Sequence, residues 1–345
     1  MPLSDAFLDQ QRQQTDPRAE TFVREALAQD AELFWRFISH LEETCLPEAM
    51  APLIERHFPD YDTPPEDLSP QLTKLSSRFF EAHAEAIFLL LGTYSLPYCY
   101  AAEAGVQVLY QTHYLRDRTL KRLQETGQFI FNVAESGAFE EGGKGWLSIL
   151  KVRLMHAAVR VKIGQHMKWD ASKWGQPINQ EDMVGTLFSF SLTVLLGLRK
   201  LGYPIEEAEA EAYFWRWNII GKRLGVQAEM LPDDQAQAFA LMKRIERRHM
   251  RPSEAGRALT KILIRETEKS ADGQLPPGFV SAMMRYLLGE KIARCVGLEN
   301  SVSWADPIIQ LNFLRQKYFT SEKNLSPESL KRQYAEVKQR LLEVA

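Results

Sequence analysis

Residues 146–168, WLSILKVRLMHAAVRVKIGQHMK, keep helical periodicity while placing apolar side chains on nearly every side. A helix that is apolar all round has no face for water, so other elements must surround it. Two further stretches, 86–102 and 183–198, contain no charged residue. A membrane-spanning helix needs about 20 predominantly apolar residues. The first stretch is interrupted by Gly92, Ser95 and Pro97, and the second carries Thr186, Ser189, Ser191 and Thr193. Both are read as helices buried inside a large helical core, without stable membrane insertion.

The rest of the pattern supplies the surrounding helices. Leu330, Tyr334, Val337, Leu341 and Val344 recur at spacings of three and four, which predicts an amphipathic C-terminal helix capped by Ser326-Pro327. Asn179 with Asp182, after Pro177, marks a helix start; that helix is expected to run to about Leu201 and stop at Gly202. Pro232-Asp233-Asp234 and Pro252-Ser253-Glu254 open two more. No run of alternating polar and apolar residues is long enough to argue for a sheet. Breaks fall at 59–70, 135–145 and 271–278. The fold class expected is all-α, one large helical domain over 1–345. It divides into an N-terminal helical extension (1–80), a core (81–300) and C-terminal helices (301–345).

Composition narrows the function classes. A net charge of −3 over 345 residues gives no broad attraction to nucleic acid. Three cysteines without a CxxC pair suggest neither a zinc knuckle nor a disulfide framework. The start, MPLSDAFLDQQRQQ, has no basic segment followed by an apolar one, so the expected compartment is the reducing cytoplasm. The basic run 243–251, KRIERRHMR, is interrupted by Glu246 and is read as a solvated helix face. HExxH, paired ExxH, nucleophile-elbow, Rossmann and Walker patterns do not occur.

Two constellations carry chemistry. Arg153, His156 and Arg160 stand at spacings of three and four on the 146–168 helix, hence on one face. A neutral imidazole on a buried helix suits haem iron, and flanking guanidiniums suit the two propionates. The same residues equally suit a hydrogen-bonded core histidine beside arginines paired with carboxylates. Thirty residues upstream, 106–133 reads as one long helix. Arg122, Thr126, Phe129 and Val133 share a face there, with Glu125 beside them. A cation, a carboxylate, a hydroxyl and an aromatic within two turns suit the open side of a haem, and equally a surface pair of Arg122 with Glu125 or Thr126. His40, His57, His83, His113, His166 and His249 are scattered and are read as surface or core residues.

RLQET and RLMHAAVR, followed by WRWNIIGKRLGVQAEMLP (215–232) and MMRYLLGEKIARCVGL (283–298), resemble in order and spacing the latex-clearing protein (rubber oxygenase) and MpaB-type oxygenase superfamily. The likeness covers roughly residues 85–300. It implies an all-α fold with a globin-like core holding haem b. His156 matches the proximal iron ligand, Arg122 and Thr126 match distal residues, and Arg153 and Arg160 match arginines near the haem. Better-known members cleave isoprenoid double bonds with dioxygen. Glu125 stands where the rubber-cleaving enzymes carry lysine, which implies a different proton chemistry. The reading is a haem b-dependent oxygenase taking dioxygen and an apolar small molecule. Glu125 would serve as base or acid, and Phe129 would lie against the cofactor. The alternatives are a haem protein without oxygenase activity, peroxidase-like, sensor or carrier, and a cofactor-free helical scaffold.

Overall fold

The computed structural model describes residues 4–41, 43, 45–111, 119–270, 275–299 and 327–343. Every regular element among them is helical; the extended backbone pairs in an isolated antiparallel bridge between Ala102 and Met250. The all-α expectation is met.

The N-terminal part holds α1 (Asp5–Gln11), α2 (Pro17–Ser39) and α3 (Ala51–His57). Next, α4 (Pro70–Leu90) passes through a π-helical turn, Leu91–Ser95, into α5 (Leu96–Tyr100). Then come α6 (Gly105–Gln111), α7 (Thr119–Ala134), α8 (Gly145–His166), the short α9 (Ala171–Trp174), α10 (Gln180–Phe190) and α11 (Leu192–Lys200). The described chain ends with α12 (Glu207–Arg223), α13 (Gln235–His249), α14 (Glu254–Ser270), α15 (Phe279–Cys295) and α16 (Pro327–Glu343).

Three predicted caps are in place, while Ser326 lies outside the described residues. Asn179 Oδ1 accepts from the Asp182 N–H at 3.0 Å, Asp234 Oδ1 from Gln237 at 2.7 Å, and Ser253 Oγ from Gly256 at 3.0 Å. One helix expectation changes, and another falls partly outside the described residues. Residues 106–133 are described as α6 and α7, and the intervening 112–118, with His113, lie outside the described residues. The helix begun at Asn179 breaks at Ser191, whose φ and ψ are −104° and −78°. The cause is local. Ser189 and Ser191 donate their hydroxyls to the carbonyls four residues back, Gly185 at 3.2 Å and Leu187 at 3.0 Å. Thr193 does the same to Ser189. Such back-bonding competes with the backbone ladder and bends a helix. Beyond α11 the chain does stop at Gly202, with a φ of 78°. The 180–200 stretch is apolar and long enough to cross a membrane, yet 72% of its most apolar window is buried inside the protein.

Two apolar cores result. The larger includes Phe79, Ile87 and Leu90 of α4, Phe131 of α7, Val184 and Phe188 of α10, Trp217 of α12 and Leu287 of α15. The smaller packs Phe22, Phe34 and Phe37 of α2 and Ile54 of α3 against α8. From α8, Leu147, Leu150, Leu154, Ala157, Ala158 and Val161 face this smaller core, while Trp146 and Ile149 face the larger. The apolar circumference of 146–168 is thus explained: α8 is a wall with a core on each side.

Candidate functional site

α7 and α8 form an antiparallel hairpin. Its turn needs glycine: Gly137 has a φ of 76°, and a Cβ on Gly143 would stand 2.3 Å from the Gly137 carbonyl oxygen. Across the hairpin, Asn132 Nδ2 donates to Ser148 Oγ and to the Leu41 carbonyl, each at 2.8 Å, and Gln128 Nε2 donates to Asn132 Oδ1 at 2.7 Å. Asn132 is fully buried. Asn132→Ala strands the Ser148 hydroxyl and the Leu41 carbonyl, and should cost about 2 kcal/mol. A shift in the urea midpoint with unchanged slope checks this.

The Asn132–Ser148 bond fixes the axial register. Seven residues back along α7 is Glu125, and seven forward along α8 is Met155; each lies about 10.5 Å from that bond. Glu125 therefore stands at the level of Met155, one residue short of His156, and Thr126 at the level of Leu154. Around the α8 axis, His156 lies about 80° from Ser148 and about 60° from Arg153. Ser148 faces α7, and Arg153 faces the end of α12 through its Nη1 bond to the Arg223 carbonyl at 3.3 Å. His156 thus projects between α7 and α12. It is partly buried, and its Nδ1 is screened from solvent. Glu125 and Thr126 are also partly buried, and Phe129 is part of the larger core. Arg122 belongs to α7, but its side chain lies outside the described residues.

The flanking arginines have carboxylate partners. Arg153 grips Asp16 with two nitrogens, Nε at 2.6 Å and Nη2 at 3.2 Å, and its guanidinium sits 5.0 Å from the Phe58 ring. Arg160 Nε lies 2.9 Å from Glu20, and its Nη1 donates to the Ile178 carbonyl at 3.2 Å. Burial pulls the Arg160 pKa down, against the charges of Glu20 and Asp16. Both arginines therefore tie α8 to the N-terminus of α2. A cleft of about 60 Å³ opens beside Arg153, bordered by Arg18, Tyr61, Trp146 and Arg223. It is roomy enough for a few waters and too small for a macrocycle.

The cofactor implied by the resemblance is haem. Among the described residues, no three His, Cys, Asp or Glu side chains are placed to hold a metal ion. A metal at His156 therefore needs most of its ligands from elsewhere. His156 would supply the imidazole that holds a haem iron. Ile149 of the larger core and the partly buried Val152 packed on it flank His156 on its own stripe, giving the apolar surface a porphyrin face requires. In this respect the residues fit the group.

A second polar cluster was not foreseen. Glu181 of α10 is wholly buried, with Arg248 Nε at 2.8 Å, His249 Nε2 at 2.9 Å and Arg12 Nη1 at 3.6 Å. Arg12 also reaches Asp182 at 3.2 Å, and Arg248 reaches Asp9 at 2.6 Å. Burial pushes the Glu181 carboxyl up, but bonding and charge from His249 and Arg248 outweigh it and hold the group below its ordinary value. At Asp182 burial wins, and the pKa is raised despite Arg12. The run 243–251 is thus partly an internal face. No sequence spacing joins residues 12, 181 and 249, so only the tertiary fold reveals the cluster.

The fold agrees with comparisons to known proteins. Residues 81–315 match the family described as ER-bound oxygenase mpaB/B'/Rubber oxygenase, catalytic domain. The rubber oxygenase of Streptomyces sp. (strain K30) is 28% identical over 179 residues, 51% of this chain and 44% of that protein. The match thus spans less than half of that relative's length. The structure of latex clearing protein LCP in the closed state aligns with a TM-score of 0.75 at 19% identity, covering 96% of this chain and 91% of that one. At that identity the likeness speaks for the fold. With 81–315 matched, this chain belongs to the ER-bound oxygenase mpaB/B' and rubber oxygenase catalytic-domain family.

Proposed function

We propose that this protein is a haem b-dependent oxygenase that uses dioxygen on an apolar, isoprenoid-type alkene. The observation that supports the reading is the hairpin register, which brings Glu125 and Thr126 to about the axial level of the partly buried His156 in a member of this family. His156 is the residue proposed to hold the haem iron. When bound, haem supplies an iron centre at which dioxygen is activated.

The chain supplies the surroundings. The Thr126 hydroxyl is the proposed hydrogen-bond donor toward the distal face, and Arg122 the proposed positive charge there. Glu125 is the proposed proton carrier, a carboxylate acting as base or acid on the same face. Phe129 is proposed to lie against the cofactor. Buried apolar side chains of 86–102 and 183–198, Leu90 and Leu195 among them, are proposed to line the substrate path and keep it dry. Arg153 and Arg160 flank the ligand and are proposed for the propionates. Their bonds to Asp16 and Glu20 favour a second reading for these two, as ties holding α2 on α8. The cytoplasm is the proposed compartment, supported by three cysteines that form no CxxC pair.

Thr126→Ala tests the distal assignment. The variant should retain the haem absorption of the wild type and lose about tenfold or more in oxygen uptake with an isoprenoid alkene, the loss expected for one oriented donor. Haem loss in this variant, or unchanged turnover, counts against it.

A further inference from the structure

Arg216 of α12 is 1% exposed. Its Nε donates to the Val133 carbonyl at 2.8 Å and its Nη2 to the Glu135 carbonyl at 3.2 Å. Its Nη1 donates to Ser77 Oγ at 2.6 Å and to the Thr73 carbonyl at 3.2 Å. The guanidinium lies 4.8 Å from the Phe139 ring. All four acceptors are uncharged oxygens. Buried cations ordinarily take a carboxylate. This one takes the last carbonyls of α7, the negative end of that helix dipole, and joins them to α4. Burial pulls its pKa down to about 10, which leaves it a cation at neutral pH.

Glu135 closes the same joint from outside. Its carboxylate accepts from Tyr334 Oη at 3.0 Å and from Lys338 Nζ, both on α16. Its carbonyl also accepts from Ser77 Oγ at 3.2 Å. Side chains of α4, α12 and α16 therefore converge on one end of α7. Thr126 lies seven residues from Val133, about 10.5 Å along the axis. A helix moves as a rigid rod, so a grip at one end sets the axial position of the other.

We infer that Arg216 is a positioning residue: by holding the carbonyls of Val133 and Glu135 against α4 and α12 it fixes the axial position of α7, and so the level at which Glu125 and Thr126 stand relative to His156. The consequence for chemistry rests on the proposed haem site, whereas the seating itself does not. A displacement of about 1 Å can cost as much as a hundredfold in rate, which is why such a grip matters to a reaction it never touches.

Arg216→Lys in the full chain tests this. A lysine keeps the charge but cannot span acceptors on both sides. Hydrogen exchange of haem-free protein should quicken by about tenfold or more over 119–127, as expected when bonds to a charged group are lost. Peptides of α2 and α3 should exchange at wild-type rates. In haem-loaded ferric protein, the Soret intensity should be retained while azide affinity shifts by about tenfold, since the distal side has moved. A residue that only supports the core would lower the melting temperature and loosen α4 and α12, with 119–127 and azide affinity unchanged. That result overturns the inference. If Arg216→Lys does not fold, Ser77→Ala removes the 2.6 Å acceptor and is read the same way, with unchanged exchange over 119–127 as the overturning result. Should the protein bind no haem, the functional reading falls, and the exchange data alone decide the seating of α7.

Discussion

Haem-loaded His156→Ala is expected to lose its Soret band while its far-ultraviolet circular dichroism stays that of a helical protein. His156 is the one protein ligand proposed for the iron, so its removal takes away the coordinate bond and leaves apolar contact to hold the macrocycle. If that bond is worth about 3 kcal/mol or more, affinity falls by roughly a hundredfold or more. The cost to folding should be smaller, about 1–3 kcal/mol, the ordinary range for one partly buried side chain. Haem titration monitored at the Soret, with a urea melt of the same samples, separates the two effects. A variant that binds haem as tightly as the wild type, with the same spectrum, removes His156 from the site. A wild type that stays colourless through the titration removes haem altogether and leaves the helical scaffold.

Glu181→Gln should destabilise the protein by about 3 kcal/mol at pH 7, because it leaves buried cations without their shared anion. Arg12, Arg248 and His249 all face Glu181, with Asp182 beside it. Glutamine keeps the shape and loses the charge, so packing contributes little to the difference. The pH dependence has a definite sign. Glu181 is held below its ordinary value of 4.5 in the folded protein, so its contribution is fully present above that value. The contribution is lost as pH falls through the lower folded value. Asp182, shifted upward, acts in the opposite sense, and less so in Glu181→Gln, because the Glu181 charge is one cause of that shift. The gap between wild type and Glu181→Gln should therefore stay open at neutral pH and close only in acid below about pH 4.5. Urea midpoints at pH 7, 5 and 3.5 give the comparison. A gap that is already absent at pH 7 sinks the claim.

Much of this fold is legible residue by residue. Asn179, Asp234 and Ser253 announce helix starts because a cap acts on an N–H three residues away, a distance sequence can see. The all-round apolar 146–168 announces burial on both sides. The break at Ser191 was written in Ser189, Ser191 and Thr193, whose hydroxyls compete with the ladder, but helical periodicity alone passes over it. Spacing placed Arg153, His156 and Arg160 on one stripe, yet could not say that Asp16 and Glu20, some 140 residues earlier, would meet the arginines. Arg248 and His249 looked like a solvated patch because Glu181 reaches them only through the packing of α10 on α13. Arg216 has a local signal of its own: an arginine between Trp215 and Trp217 on a largely apolar stretch must either snorkel or find partners in the core. Local chemistry is written locally, and pairings over long separations are settled when the helices pack.

The stretch that matches the family begins at residue 81, whereas α8 turns six of its side chains toward a core built by residues before that point. Sequence kinship and cooperative folding therefore draw different outlines on this protein. The N-terminal helices are the missing half of the environment that the helix bearing His156 needs. The family match outlines one part of the chain, and the packing of α8 runs straight across its edge.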